Sequence, residues 1–527
     1  MSIKLATAFA FFTRWMDSSL FFRGFSAVLN YIRALCGRGF IAQAFVGEID
    51  PLNAHVNSSI FAKFISKLLN GFPKPLQPAT HWHTRISTLF ANSWLINNLC
   101  DHIGTPIPPP SKEAGQKEFW QWAFFAFPAL GVAGILFAVP FLPTMMLGAL
   151  LVPILLFIYF SRQFVVNSTV VFLFIFIIIS ALVAVMSLAP ASSIRIFMLT
   201  TVFALSTLAI MAIADTKKTV DFLILIFVVS ASFTGLVGLF QFFFGGRSAL
   251  WLDPELFAHI QGRIGSSFGN PNIYAGYLLL ILPITAVCVV FFRNMFIKIC
   301  ATGATGLLLI NLALTYSRGA YVAMALAVIV FILLVEKRLL ILMVFVAAIL
   351  PPMLPQTVLD RILSIVNFAD TSTMFRMSIW QGSLRMARDF WLSGVGQGLE
   401  AYHTVYPYYA LAAAGTLHSH NLFLQIFVEV GVGGFIIFIA ILACFFRELA
   451  NFWRKTQEFR LKLMASAIMA GMIGFLVQSF FDYTFFNFSI ILTFYLFIGL
   501  GLAFTRVYRH VVEIPQSPED RLFISGY

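Results

Sequence analysis

The chain has 527 residues, of which 60% are apolar and only 11% charged, and it carries a net charge of +12. A soluble domain has about 25% charged residues, so this chain cannot cover itself with polar surface in water. The basic excess does not point to nucleic acid. Lysine and arginine fall mostly in short turns between apolar runs of about 20 residues, each long enough to cross a ~30 Å hydrocarbon layer. The five cysteines are scattered without metal-ligand spacing and read as buried or inert thiols.

Residues 1–118 are broken by polar residues and prolines too often to span a membrane, and Met1 to Phe12 does not read as a signal peptide. Apolar positions between Leu5 and Leu35 recur at helical spacing around Arg14, Arg23 and Arg33, the pattern of a basic amphipathic helix on anionic lipid. An extension without catalytic role fits the same residues. Residues 1–118 are therefore expected to form a cytoplasmic or membrane-surface extension, closed by the proline linker at 107–111.

From there to residue 507 the chain reads as a polytopic, all-α integral membrane domain of about 12 transmembrane helices. Spans are expected near 121–139, 141–160, 164–187, 195–214, 219–244, 272–292, 296–314, 319–335, 339–354, 420–446, 461–481 and 487–507. The turns holding Arg162, Lys217, Arg293, Lys337, the run Arg447 to Lys462, and Arg506 with Arg509 all fall on one side, which the positive-inside bias makes cytoplasmic. The tail at 508–527 lies on that side too. The opposite side carries the long loop 355–419, expected to form short amphipathic helices.

Against that bias, the outward segments hold Arg247, Arg263, Arg318, Arg361, Arg376, Arg385 and Arg388, with His403, His418 and His420. Ionisable groups at a translocated interface mark function. Arginine suits an anion, because its planar fork gives two parallel hydrogen bonds to phosphate oxygens. Asn270-Pro271-Asn272 is a capping sequence that either only starts a helix or also aims a helix N-terminus at an anion. Ser317-Arg318-Gly319 is either a tight interfacial turn or part of the same site. His418 and His420, two apart, would not share a helix face, which argues against a metal pair. Gly431, Gly433 and Gly434 would allow close helix packing. Glu429, inside a span, must face the bundle interior and would support the His420 helix, and Asp482 could play a similar part. Arg376 and Trp380 would share one helical face.

Arg263-Ile264-Gly265-Ser266-Ser267-Phe268-Gly269-Asn270-Pro271-Asn272, Thr315-Tyr316-Ser317-Arg318-Gly319, and His420-Asn421 followed nine residues later by Gly431 resemble the motifs of the O-antigen ligase/polymerase superfamily. Ser393 to Gly398 is similar to its glycine-rich loop step, with Phe390-Trp391 where a proline is common. The resemblance implies a glycosyltransferase of GT-C type in the bacterial inner membrane. Its donor would be a glycan on undecaprenyl diphosphate, and its acceptor lipid A-core or another glycan at the periplasmic face. It implies His420 as the catalytic base, Arg263 and Arg318 on the diphosphate, and Arg376, His418, Asn421 and Glu429 as supporting or acceptor-side residues. No metal or cofactor is expected, since arginines would replace a divalent cation. An O-antigen polymerase, a protein O-oligosaccharyltransferase and, from another class, a solute transporter remain open.

Overall fold

In a computed structural model, residues 56, 58–71, 116–245, 262–349, 351–366, 371–411 and 415–513 are described. The expected surface helix between Leu5 and Leu35, the linker at 107–111, Arg247 and the tail beyond residue 513 lie outside the described residues.

Lipid offers the backbone no hydrogen bonds, so each apolar run must satisfy its own amides. The described residues accordingly form helices and no strand. A short helix, α1 (Ile60–Asn70), precedes α2 (Gln116–Ala138), α3 (Thr144–Ser161), α4 (Ser168–Val185), α5 (Pro190–Ile213) and α6 (Lys217–Phe244). Then come α7 (Pro271–Phe291), α8 (Met295–Leu314), α9 (Arg318–Val335) and α10 (Leu339–Ile349). The long loop folds into α11 (Gln356–Leu363), α12 (Thr371–Asp389) and α13 (Leu399–Val405). The chain closes with α14 (Leu422–Lys455), α15 (Phe459–Phe481) and α16 (Phe488–Glu513). Among the described residues, 9 helices are long and apolar enough to cross a membrane, and three shorter apolar ones, in α2, α3 and α10, lie where the other spans were expected.

Two boundaries differ from the sequence reading. Helix α10 stops at Ile349 rather than 354, because Pro351-Pro352 cannot continue a helix. Helix α14 runs on to Lys455, well past the apolar run, so Arg447, Glu448 and Arg454 are helical residues rather than a turn. Helix α1 was not anticipated. Ser59 caps it, and Asn70 exchanges two hydrogen bonds with the backbone of Phe164 (2.9 and 3.0 Å), docking it on the turn after α3.

Helix α15 packs between α7 and α9, while α16 packs on α5 and α14 on α4. Small residues permit the α15 contacts: a Cβ at Gly474 would lie 3.2 Å from the Ala327 Cβ of α9. The turns expected to be cytoplasmic do meet. Arg162 pairs with Asp215 (3.3 Å), Arg506 donates to the Ala214 carbonyl (2.8 Å), and Arg509 pairs with Glu448 (2.8 Å).

Helix α14 breaks at Gly431, whose φ of 69° and ψ of −177° only glycine adopts readily. The break admits the loop 391–396. Val395 and Gly396 donate to the carbonyls of Val428 (3.0 Å) and Glu429 (3.1 Å), and Val432 donates to that of Trp391 (2.7 Å). A Cβ at Gly431 would strike the Leu392 carbonyl. The glycines after His420 therefore do not act as a helix-packing set. Gly431 is a break that receives a loop, nothing lies within 4 Å of a Cβ at Gly433, and only Gly434 faces another helix, at Ile179 of α4.

Candidate functional site

Three non-glycine residues have positive φ among those described: Ser266 (47°), Tyr316 (49°) and His420 (51°). Strained backbone of this kind gathers where geometry matters more than local comfort. Each lies in one of the three sequence motifs, and the fold brings those motifs together at one end of the bundle.

Asn270 caps α7 by accepting from Asn272 N–H (2.9 Å) and Ile273 N–H (3.4 Å), and Pro271 begins the helix. That leaves the Asn272 side chain for another task. Its Oδ1 accepts from an Arg263 guanidinium nitrogen at 2.6 Å, and its Nδ2 donates to Asp482 Oδ2 at 2.8 Å. Arginine can only donate, so the amide orientation is fixed. Arg263 Nε also donates to the Thr315 carbonyl (2.7 Å), which ties the first motif to the second.

Asp482 ends α15, and its Oδ1 lies 3.1 Å from His420 Nδ1. The same oxygen accepts the Tyr483 N–H at 2.9 Å, while an Arg376 nitrogen stands 4.0 Å from Oδ2. Burial alone would raise the Asp482 carboxyl. The His420 hydrogen bond and the charges of His420 and Arg376 overcome it and hold the group well below the usual carboxylate range. Ionised Asp482 therefore accepts from His420 Nδ1–H, which makes Nε2 the basic nitrogen.

The expected separation of the two histidines does not hold. It assumed a helix already formed at His418, but α14 begins at Leu422, and the rings lie 4.1 Å apart between centroids. His418 Nδ1 accepts the His420 N–H at 3.2 Å. Burial and the nearness of His420 lower the His418 pKa to about 3, so its ring is neutral. His418, His420 and Asp482 place one ligand atom each within 4.8 Å of one another, close enough for a divalent cation. His420 Nδ1 is engaged with Asp482 and His418 Nδ1 with the His420 N–H, and Arg376 adds positive charge beside them.

A second chain of bonds holds the histidine segment. Ser419 N–H donates to Gln425 Oε1 (2.7 Å), Gln425 Nε2 donates to Glu429 Oε1 (2.9 Å), and Tyr483 OH reaches the same oxygen (3.4 Å). Glu429 is thus buried and faces the bundle interior. Asn421 caps α14 by accepting from Leu424 N–H at 3.0 Å.

Beside the dyad lies a polar cavity lined by Arg263, Arg318, Arg361, Arg376, Asn272 and Gln478, among others. Arg361 Nε donates to the Tyr316 carbonyl (3.1 Å), and Arg318 reaches the Ser364 carbonyl (3.3 Å) and Thr373 Oγ1 (3.4 Å), so the loop helices close over the cavity. Burial and the charges of Arg361 and Arg376 depress the Arg263 pKa to about 9. Four guanidinium groups lining one cavity make a site of positive potential that suits an anion. Arg376 and Trp380 do share a face: the Trp380 ring sits 5.7 Å from Phe480, two residues before Asp482.

Residues 303–439 match the family model for O-antigen ligase. Over these residues the chain is O-antigen ligase-like. A comparison with curated proteins finds no match. The matched segment contains Arg318, Arg361, Arg376, His418, His420 and Glu429. Arg263, Asn272 and Asp482 lie outside it and reach the site only through the fold. Asp482 bonds His420 and Asn272 bonds Asp482, and sequence reading gave neither a direct role in orienting the histidine. Arg361 was visible only as one outward arginine among several.

In an O-antigen ligase-like site, Arg318→Lys keeps the charge but loses the fork that spans Ser364 and Thr373. It should raise KM for the anionic substrate by about 10- to 100-fold, the worth of a charged hydrogen bond. Steady-state kinetics with varied donor would measure this, and an unchanged KM would place the anion elsewhere.

Proposed function

We propose that this protein is a membrane glycosyltransferase of O-antigen ligase type that moves a glycan from undecaprenyl diphosphate to an acceptor hydroxyl at the periplasmic face. The observation that carries the reading is the His420–Asp482 pair standing beside a cavity walled by four arginines. The diphosphate binds to Arg318, Arg361 and Arg376, with Arg263 behind them. The acceptor oxygen attacks the anomeric carbon as His420 Nε2 takes its proton. The bond from that carbon to the diphosphate oxygen breaks, and undecaprenyl diphosphate leaves with the electron pair. The arginines hold the charge that develops on it, as fixed groups that need no reorganisation. Attack from the face opposite the leaving group inverts the anomeric configuration. Asp482 keeps the imidazole in its reactive tautomer and stabilises the imidazolium. Glu429, through Gln425 and Ser419, and Asn421, through the helix cap, hold the histidine backbone.

The acceptor is lipid A-core in this reading. Complementing a deletion strain and resolving its lipopolysaccharide tests it: lipid A-core without long chains, with lipid-linked polymer accumulating, is the expected phenotype. Single-repeat capping would make the protein a polymerase, and unglycosylated surface protein with normal lipopolysaccharide an oligosaccharyltransferase. A transporter would place its ionisable groups at mid-membrane on broken helices, whereas these arginines cluster in loops, loop helices and one helix start at one end of the bundle.

Orientation has its own test. In a cysteine-free background, a cysteine at Gly415 should react with an impermeant thiol reagent added from the periplasm, and one at Lys298 should not. The reverse pattern would put the site on the cytoplasmic face.

A further inference from the structure

Helix α12 leads away from the dyad toward lipid. Arg376 stands 4.0 Å from Asp482, and Trp380, one turn on, packs on Phe480. After α12 ends at Asp389, the loop bonds α14 at Val428, Glu429 and Val432, about two to three turns inside that helix from its outward end. Arg385 and Arg388 lie on this descending stretch, roughly 14 and 18 Å along the axis from Arg376. Beside them Leu384, Trp391 and Leu392 are exposed. Apolar, aromatic and cationic side chains mixed in this way sit at a headgroup layer.

The helix has one buried and one bare face. Ile379, Met386 and Ala387 pack with Tyr402 and Tyr406 and with Val428 of α14. The Ser383 and Tyr402 hydroxyls meet at 2.7 Å, and a Cβ at Gly382 would press on the Tyr409 carbonyl, so that packing is close. Arg385 and Arg388, three apart, share the opposite face and are exposed. They line an open cleft of ≈ 350 Å³ that shares no residue with the arginine cavity beside the dyad. Among the described residues neither arginine pairs with a carboxylate. Asp389, also in the lining, instead accepts from Tyr409 OH at 2.8 Å. Two unpaired guanidinium forks on one face suit a phosphate. Tyr408, in the same cleft and 88% exposed, offers an aromatic face to an adjoining sugar.

We infer that Arg385 and Arg388 bind a phosphate at the lipid end of the acceptor, and so select a phosphorylated glycolipid and set the height at which its distal hydroxyl meets His420. The inference rests on the reading of lipid A-core as acceptor, a glycolipid whose phosphates lie on its acylated end, remote from the reacting hydroxyl. The acyl chains stay in the bilayer beside Leu384 and Leu392. Both arginines are positioning residues, which touch neither the donor nor the reacting atoms.

Binding in the absence of donor tests this without catalysis. The full chain in detergent micelles would be titrated with lipid A-core, with the same glycolipid dephosphorylated by hydrofluoric acid, and with phosphatidylglycerol. Lipid A-core should bind about tenfold more tightly than either, a modest factor because an open cleft leaves the ion pairs partly hydrated. Arg385→Gln combined with Arg388→Gln should abolish that advantage. Arg195→Gln, which removes an exposed cation near the outward end of α5, should bind like wild type. In turnover, the double variant should raise KM for lipid A-core by about tenfold and leave kcat and the donor KM unchanged. Equal binding of phosphatidylglycerol would make the cleft a general anionic-lipid site and overturn the inference. So would the absence of a preference in wild type, an unchanged preference in the double variant, or equal weakening by Arg195→Gln. A preference lost in the double variant, in a wild-type protein that transfers no glycan, would remove the glycosyltransferase reading and leave the phosphate site standing.

Discussion

His420→Ala should lower glycan transfer by about 10²–10⁴-fold, the range for losing a positioned general base, with protein abundance nearly unchanged. His420 precedes α14, next to a polar cavity, and its contacts include Asp482, His418 and the Phe375 ring. The side chain is buried, but its surroundings are polar, so water can take its place when it is lost. His418→Ala should be milder, since its ring is neutral and shapes the His420 backbone through one 3.2 Å hydrogen bond. Complementation with each variant, read as long-chain glycan against immunoblotted protein, checks both. Loss of transfer only in proportion to lost protein would make His420 structural.

Asp482→Asn should cost nearly as much, because the exchange sets donor against donor. Asp482 Oδ1 receives both His420 Nδ1–H and Tyr483 N–H, and Oδ2 receives Asn272 Nδ2–H. An amide has one oxygen, so at least one of these contacts becomes N–H against N–H. Turning the amide nitrogen to His420 forces the wrong imidazole tautomer, and in comparable His–Asp pairs that substitution costs roughly 10⁴-fold in kcat. The pH dependence has a definite sign. A carboxyl whose folded pKa is depressed contributes stability above its unfolded value, near 4, and loses it only as pH falls through the lower folded value. Wild-type stability linked to Asp482 should therefore persist through mildly acidic pH. The variant should lack that acid-limb dependence in thermal unfolding of the detergent-solubilised protein. Wild-type kcat for Asp482→Asn would show that His420 needs no orienting partner.

The membrane helices were legible because a hydrophobic run in lipid has only one way to satisfy its backbone. Charge in the turns grouped them on one side through the positive-inside bias, and the contacts of Arg162, Arg506 and Arg509 bring those turns together at one end of the bundle. Errors arose where local pattern and tertiary context part. Helix α14 continues through Arg447 and Arg454 because propensity, unlike hydropathy, does not end at the membrane. His418 and His420 meet because the chain enters α14 through a left-handed residue, which no periodicity rule anticipates. The Gly431 break looked like helix packing because its role depends on a loop some 35 residues upstream. Asp482 and Asn272 are apolar-run neighbours in the sequence, and only the packing of α7 against α15 brings them together 210 residues apart. Motif residues marked where the site is, and long-range pairing supplied its working parts.

The central claim is that a histidine–aspartate pair and an arginine cavity, without a divalent cation, drive transfer from a lipid diphosphate. The direct measurement is consumption of undecaprenyl diphosphate-linked glycan by the purified chain in nanodiscs with acceptor and excess chelator, followed as released undecaprenyl diphosphate. Wild-type protein should release it in step with glycan transfer, and His420→Ala should not. Loss of wild-type turnover in chelator, restored by magnesium or manganese, would contradict the account, and so would undiminished release by His420→Ala.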